Sequence, residues 1–387
     1  MFDMQFNDPF QADAPAFRVA LKPNPGRANS TSTSAEQPDN SKDETKDITA
    51  TLAPRLIALT VTDNRGFEAD TLTLTLDDSD GKIEMPERNA QVTVSIGRQG
   101  SLLTDMGSFF IDQVKHQGAP DRLIITGRSV DFRSSMNTAK EWSWHDATLG
   151  DIVKDIAWRN SLSANVAPEL AGIKIAHIDQ SKETDVAFLT RLAVSNGAEI
   201  AVKSGVLIFL VPGKCLRGGK EISTVTINRS DGDSHAFDLT DRTAYGSVIA
   251  RWEDTKTPKK QTKQVKLTRK GVSKPQWKTD YLAGLTENTN VLQNNFASRD
   301  EAFRAALAEW QKRQRDAAAF SLTLAQGRVD IAPETPVQLA GFKEVINQTP
   351  WVIKKLTHGI DSKGFITKLE LEVDIRKIEY EVEESII

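Results

Sequence analysis

Five histidines are the first candidates for chemistry: His116, His145, His177, His235 and His358. None stands in an HExxH pair or in a Cys/His metal-ligand spacing. The one cysteine, Cys215, lies in Gly213-Lys214-Cys215-Leu216-Arg217-Gly218-Gly219 with no histidine near it in sequence. A reactive thiol needs an electropositive setting that favours the thiolate, and this stretch reads as a linker. Asp231-Gly232-Asp233-Ser234-His235 gathers oxygen and nitrogen ligands, but it lies between alternating segments and is built of turn formers, so a solvated hairpin turn is predicted. Asp77-Asp78-Ser79-Asp80-Gly81-Lys82 lacks the Gly and Glu placement of an EF-hand and also reads as a turn. No GxxxxGK[ST] loop and no GxSxG elbow occurs. The expectation is a chain without catalytic residues, metal ligands or cofactor.

One charged segment stands out. Between Lys256 and Lys278 every ionisable side chain is basic: Lys256, Lys259, Lys260, Lys263, Lys266, Arg269, Lys270, Lys274 and Lys278, with Trp277 at the end. Basic residues with an aromatic can grip a phosphate backbone. Such a stretch can also be simply a solvated loop, or a strand pair edged with lysines to prevent sheet-to-sheet association, and a third reading has it facing an acidic protein partner. These three readings stay open. The net charge of −4 over 387 residues gives no bulk signal for polyanion binding.

The elements that must carry these residues follow from periodicity. The length suggests two or three domains. With 39% hydrophobic and 26% charged residues the composition is that of an ordinary globular protein. A lone cysteine allows no intrachain disulfide and suits a reducing cytoplasm. The N-terminus lacks the basic and apolar regions of a secretory signal, and no apolar run approaches a membrane span, so no membrane anchoring is expected. Residues 24–49 are polar, with Ser30 to Ser34 reading Ser-Thr-Ser-Thr-Ser, and are predicted to form a flexible loop between two strands. From Arg55 to Arg133 the period is two, as in Leu72-Thr73-Leu74-Thr75-Leu76 and Val92-Thr93-Val94-Ser95-Ile96. This predicts antiparallel strands with one buried face.

From Trp142 to Val211 the period lengthens. Leu149, Ile152, Val153, Ile156 and Ala157 follow helical spacing behind Thr148, with Asp151 three residues on as a capping box. A second helix begins near Thr184, and Gly197 sits where a left-handed residue would end it. Glu199–Val202 and Val206–Val211 then read as a hairpin. From Glu221 the chain returns to strands, interrupted by a helix over 298–319 with Ser298 and Glu301 at its start and Phe303, Ala306, Leu307, Trp310 and Ala317 as its apolar stripe. The predicted fold is mainly β with an α+β insert. It comprises a first barrel-like domain (1–135), the insert (136–214), a second barrel-like domain (215–376) and an acidic tail (377–387) that is frayed or bound by a partner.

The insert carries a recognisable pattern: Gln180, then Glu183 and Asp185, then Phe188, Leu189, Arg191 and Leu192, then Gly197. It resembles the late control protein D family, the baseplate hub of contractile-tailed phages, and is similar to the N-terminal hub of VgrG spikes of type VI secretion. The physics of the motif is structural, since its apolar members pack a helix and Thr184 caps it. Arg191 has the choice of a carboxylate within the subunit or across an interface. The resemblance implies a virion protein assembled in the host cytoplasm, forming a homotrimeric ring of tube-like barrels that matches a three-fold spike to a six-fold tail tube. It further implies contacts with the tape-measure protein, DNA passing through the lumen and baseplate wedge proteins, with the spike as a separate chain. The basic segment would then face the channel or a partner. Two other classes compete: a nucleic-acid-binding regulator of late genes, favoured only by the basic segment, and a hydrolase with paired carboxylates.

Overall fold

The computed structural model describes residues 14–22, 45–66, 68–87, 90–129, 135–203, 205–212, 216–217, 220–239, 245–253, 262–270 and 288–386. The strands of the first part are β1 (Pro15–Lys22), β2 (Lys46–Asp47), β3 (Leu56–Asn64), β4 (Thr71–Asp77), β5 (Gln91–Arg98), β6 (Thr104–Gln117) and β7 (Arg122–Arg128), with a short helix α1 (Thr49–Leu52). The insert holds β8 (Ala139–Thr148), α2 (Leu149–Arg159), β9 (Ser163–Val166), α3 (Pro168–Ala171), β10 (Lys174–Thr184), α4 (Asp185–Asn196), β11 (Glu199–Lys203) and β12 (Val206–Leu210). Then come β13 (Leu216–Arg217), β14 (Lys220–Glu221), β15 (Val225–Asn228), β16 (Gly232–Leu239), β17 (Ser247–Glu253), β18 (Thr262–Arg269) and β19 (Thr289–Phe296). The chain finishes with α5 (Arg299–Arg315), β20 (Ala318–Leu324), β21 (Pro336–Ala340), α6 (Glu344–Gln348), β22 (Trp351–Asp361), β23 (Gly364–Val373) and β24 (Tyr380–Ile386).

The fold is mainly β with an α+β insert, as the periodicity requires. Alternation does what it predicts in β4: Leu72, Leu74 and Leu76 are buried and the threonines between them are half-buried on the other face. They share a core with Val92, Val94, Ile96, Phe109 and Leu123. Each fully buried leucine or valine contributes roughly 1.5–3 kcal/mol. A second core fills the insert, a third lies around Phe320, Trp351, Ile353 and Leu371, and a fourth forms where Ala302, Ala306 and Trp310 of α5 pack on β17 and β18.

Five expectations need correction. The two barrel-like regions are not separate sheets. Among the described residues they form one 13-stranded sheet in the order β16-β20-β23-β22-β3-β4-β7-β6-β5-β1-β2, with β15 and β21 alongside, and no closed ring. The link is β3 against β22, paired from Ala58↔Asp361 to Asn64↔Lys355. Of the expected loop 24–49, residues 24–44 lie outside the described residues. Its end is structured, because Asp47 accepts from Arg18 Nε at 2.8 Å and the Thr49 hydroxyl accepts from the Val19 amide at 2.8 Å. Asp231 belongs to a short turn, but Gly232 to His235 begin β16 instead of a solvated turn, with the His235 ring stacked on Phe320. The helix predicted to 319 stops at Arg315. The period-two run from Ala318 takes over and pairs with β23 and β16. The acidic tail is not frayed: β24 adds to the sheet β19-β17-β18-β24.

The seam between the two halves contains His358. It lies opposite Val61 of β3 and Thr367 of β23, is 1% exposed, and its Nδ1 is 2.9 Å from Thr367 Oγ1. Burial pushes its pKa down to about 4, against a small opposing pull from Asp63. Below the ordinary value of about 6.5 the unfolded chain therefore takes up a proton that the folded chain resists. Stability is full above pH 6.5 and falls between about 6.5 and 4. The expected loss is about 3 kcal/mol at about 1.4 kcal/mol per unit. Urea unfolding of the protein and of His358→Gln across this range checks it, since the variant should lack this component.

Candidate assembly site

Three charged features join elements of the fold. The first is the signature. Its aspartate, Asp185, opens α4 and is fully buried. Its carboxylate accepts from Lys140 Nζ at 2.5 Å, Asn160 Nδ2 at 2.8 Å, Gln180 Nε2 at 2.9 Å and Arg159 Nη2 at 3.2 Å. Burial alone would raise its pKa. The bonds from Lys140, Asn160 and Gln180 and the charge of Arg159 outweigh burial and hold the carboxyl below the usual range. Arg159 also lies 5.4 Å over the rings of Trp142 and Trp144, and Trp144 stacks on Phe188 at 5.0 Å. Phe188, Leu189 and Leu192 are buried. Arg191 finds its carboxylate inside the subunit: Glu183 at 2.5 Å, with the Asp179 carbonyl at 2.9 Å.

The local causes are the predicted ones. Thr184 accepts from the Ala187 amide at 3.1 Å and caps α4. Gly197 closes the helix at φ 63°, and a Cβ there would meet Ala308 of α5 at 3.2 Å. Thr148 and Asp151 form the reciprocal box at the start of α2. Glu301 departs slightly from expectation, reaching the Ala297 amide at 3.3 Å while its own amide donates to Ser298. The sequence reading missed the long ribbon of β8 and β10, which holds Lys140, Trp142, Trp144 and Gln180. The Trp142-x-Trp144 alternation was its one available signal.

The second feature had no sequence signal. Arg65, just past β3, is nearly buried among three glutamates: Glu199 of β11 at 2.9 Å, Glu334 at 3.1 Å, and Glu372 of β23. Arg315 at the end of α5 approaches Glu372 at 3.7 Å. Burial works against the Arg65 charge, but the three carboxylates hold its pKa above the ordinary value. The cluster ties the first sheet region, the insert and the second region together. It lies at an open cleft of about 890 Å³ whose wall includes Arg65, Gly197, Ala308 and Glu372.

The third feature is the basic segment. Lys256, Lys259, Lys260, Lys274 and Lys278 lie outside the described residues. Lys263, Lys266 and Arg269 are on β18 and Lys270 follows it. Their neighbour is the chain's own acidic strand. In β24, Glu383 is opposite Lys266 and Glu384 is opposite Val265. Lys270 Nζ is 3.1 Å from Glu379, and Arg299 Nε is 2.8 Å from Glu384. Opposite charges across a ladder support its register.

These features bind elements of the fold together. Among the described residues no group of three or more His, Cys, Asp or Glu is placed to hold a metal ion, and no helix is long and apolar enough to cross a membrane. Comparison with known proteins gives the context. The profile of the phage tail baseplate hub (GPD) family matches residues 71–364. The chain belongs to this family. The probable baseplate hub protein of Escherichia phage P2 is 49% identical, covering 88% of this chain and 94% of its own length. That of Escherichia phage 186 is 47% identical, covering 87% and 93%. Among solved structures, the 43 kDa tail protein of prophage MuSo2 from Shewanella oneidensis shares the fold of this hub chain at TM-score 0.64 and 13% identity, over 92% of this chain and 98% of that one. The Francisella PdpA–VgrG complex shares it at TM-score 0.51 and 13% identity, over 94% and 58%. The hub is thus a structural component of a phage tail baseplate, with a VgrG-like fold.

Proposed function

We propose that the chain forms a homotrimer that joins a six-fold tail tube to a three-fold central spike. The observation that carries this reading is the likeness, over nearly the whole chain, to probable baseplate hub proteins of phages P2 and 186. Two β regions per subunit, 1–135 and 215–376, give six similar lobes in a closed ring of three copies, a natural adaptor between the two symmetries. The insert 136–214 braces the lobes. The lumen receives the tape-measure protein and later DNA, wedge proteins surround the ring, and assembly takes place in the host cytoplasm before the hub enters the virion tail. The role is mechanical: the continuous sheet and the Arg65 cluster support a subunit that transmits force as one body. No reaction is assigned to it.

The pairing of β18 with acidic β24 bears on the regulatory reading. Glutamates beside Lys266 and Lys270 offset the charge that a phosphate backbone would need. Sedimentation of the purified protein with the spike of the same phage tests the proposal. The expected particle contains three copies of the 42.7 kDa chain per spike trimer. A hub that stays monomeric in the presence of the spike contradicts it.

A further inference from the structure

The ribbon of β8 and β10 turns one face to the insert core, through Trp144 and Gln180, and the other to solvent. On the outer face His145 stands directly opposite His177, and Ser143 opposite Asp179. The two imidazoles face each other with Nδ1 to Nδ1 at 3.1 Å. His177 Nε2 is 3.1 Å from Asp179 Oδ2, and Asp179 Oδ1 accepts from Ser143 Oγ at 2.6 Å. An ionised carboxylate only accepts, so the His177 proton belongs on Nε2 and its Nδ1 presents a lone pair. His145 Nδ1 then donates across the gap.

The same separation suits a pair of metal ligands. At metal–nitrogen distances of about 2.0–2.1 Å, two cis imidazole nitrogens lie roughly 2.9–3.4 Å apart, a range that contains the observed separation. Ligating histidines commonly donate their other N–H to a carboxylate, which fixes tautomer and orientation. The Ser143–Asp179–His177 chain has that form. For His145 to ligate, its proton moves from Nδ1 to the ring's other nitrogen, Nε2. Imidazole pairs suit borderline divalent cations.

We infer that His145 and His177 bind one borderline divalent transition-metal cation through their Nδ1 atoms, with Asp179 as the positioning residue and water in the remaining places. Two protein ligands make this an open, exchangeable site and not a closed structural one. Its effect is to clip β8 to β10 on the outer face of the signature ribbon.

Titration calorimetry of the full-length protein with zinc chloride tests this. One equivalent per chain is expected. His145→Ala and His177→Ala should each weaken binding by more than about tenfold, and Asp179→Asn by about tenfold. His116→Ala, on β6 of the large sheet and not on the ribbon, should bind as the parent does. Saturating zinc should raise the Tm of the parent and not that of the two ligand variants. His145→Gln replaces the alanine variant if circular dichroism shows that the latter has lost structure. The inference is overturned if the parent takes up no zinc, or if either ligand variant binds it as the parent does.

Discussion

Replacing Arg65 by methionine is expected to lower folding stability by about 3–5 kcal/mol, the range seen when one partner of a buried ion pair is removed. The physical reason is asymmetric. The guanidinium is offset by three carboxylates in a nearly buried position, so its loss leaves Glu199, Glu334 and Glu372 close together with their compensation gone. Arg315, 3.7 Å from Glu372, relieves one of them in part. Arg65→Lys keeps the charge but not the planar fork that reaches several carboxylates at once, so it should fall between the parent and the methionine variant. Urea midpoints of the three proteins decide this. A methionine variant within about 1 kcal/mol of the parent would mean that the cluster behaves as a solvated surface pair, and the account of the hub as one braced body would lose its main support.

The second large effect belongs to Asp185. Asp185→Ala removes the acceptor shared by Lys140, Arg159, Asn160 and Gln180, and leaves two cations facing each other across a cavity. A loss of about 3–4 kcal/mol is expected, and it should unseat the β8–β10 ribbon from α2 and α4. Because the carboxyl is held below its ordinary pKa, its contribution is fully present above the unfolded-state value of about 3.9 and is lost as pH falls through the folded-state value. The stability difference between parent and variant should therefore stay level from pH 8 to 5 and shrink only in stronger acid. Guanidinium unfolding at pH 7, 5 and 3 measures it. A difference that already shrinks at pH 5 would contradict the assignment of the ionised carboxylate.

What could be read from the chain was local. Leu72, Leu74 and Leu76 announce a strand because the pleat has period two. Thr148, Thr184 and Gly197 announce helix ends because those positions need a side-chain acceptor or a positive φ. The Arg65 cluster could not be read, since Arg65 and Glu372 are 307 positions apart and neither has a distinctive sequence setting. The β8–β10 ribbon was hidden for another reason. Along β8 tryptophan alternates with exposed polar residues over only three positions, Trp142-Ser143-Trp144, and Gln180 is buried for the sake of Asp185 and not for apolar packing. The acidic tail misled through charge: Glu381 and Glu383 suggest solvent, yet Tyr380 and Val382 alternate with them and the basic strand β18 supplies the neighbour.

The central claim is a ring of three hub chains presenting six similar lobes. It is tested most directly by end-on single-particle images of the hub mixed with the spike protein of the same phage. The account predicts a three-fold ring with six lobes around an axial spike, and with the insert bridging neighbouring lobes. Isolated monomers beside free spikes, or a ring of any other symmetry, would contradict it.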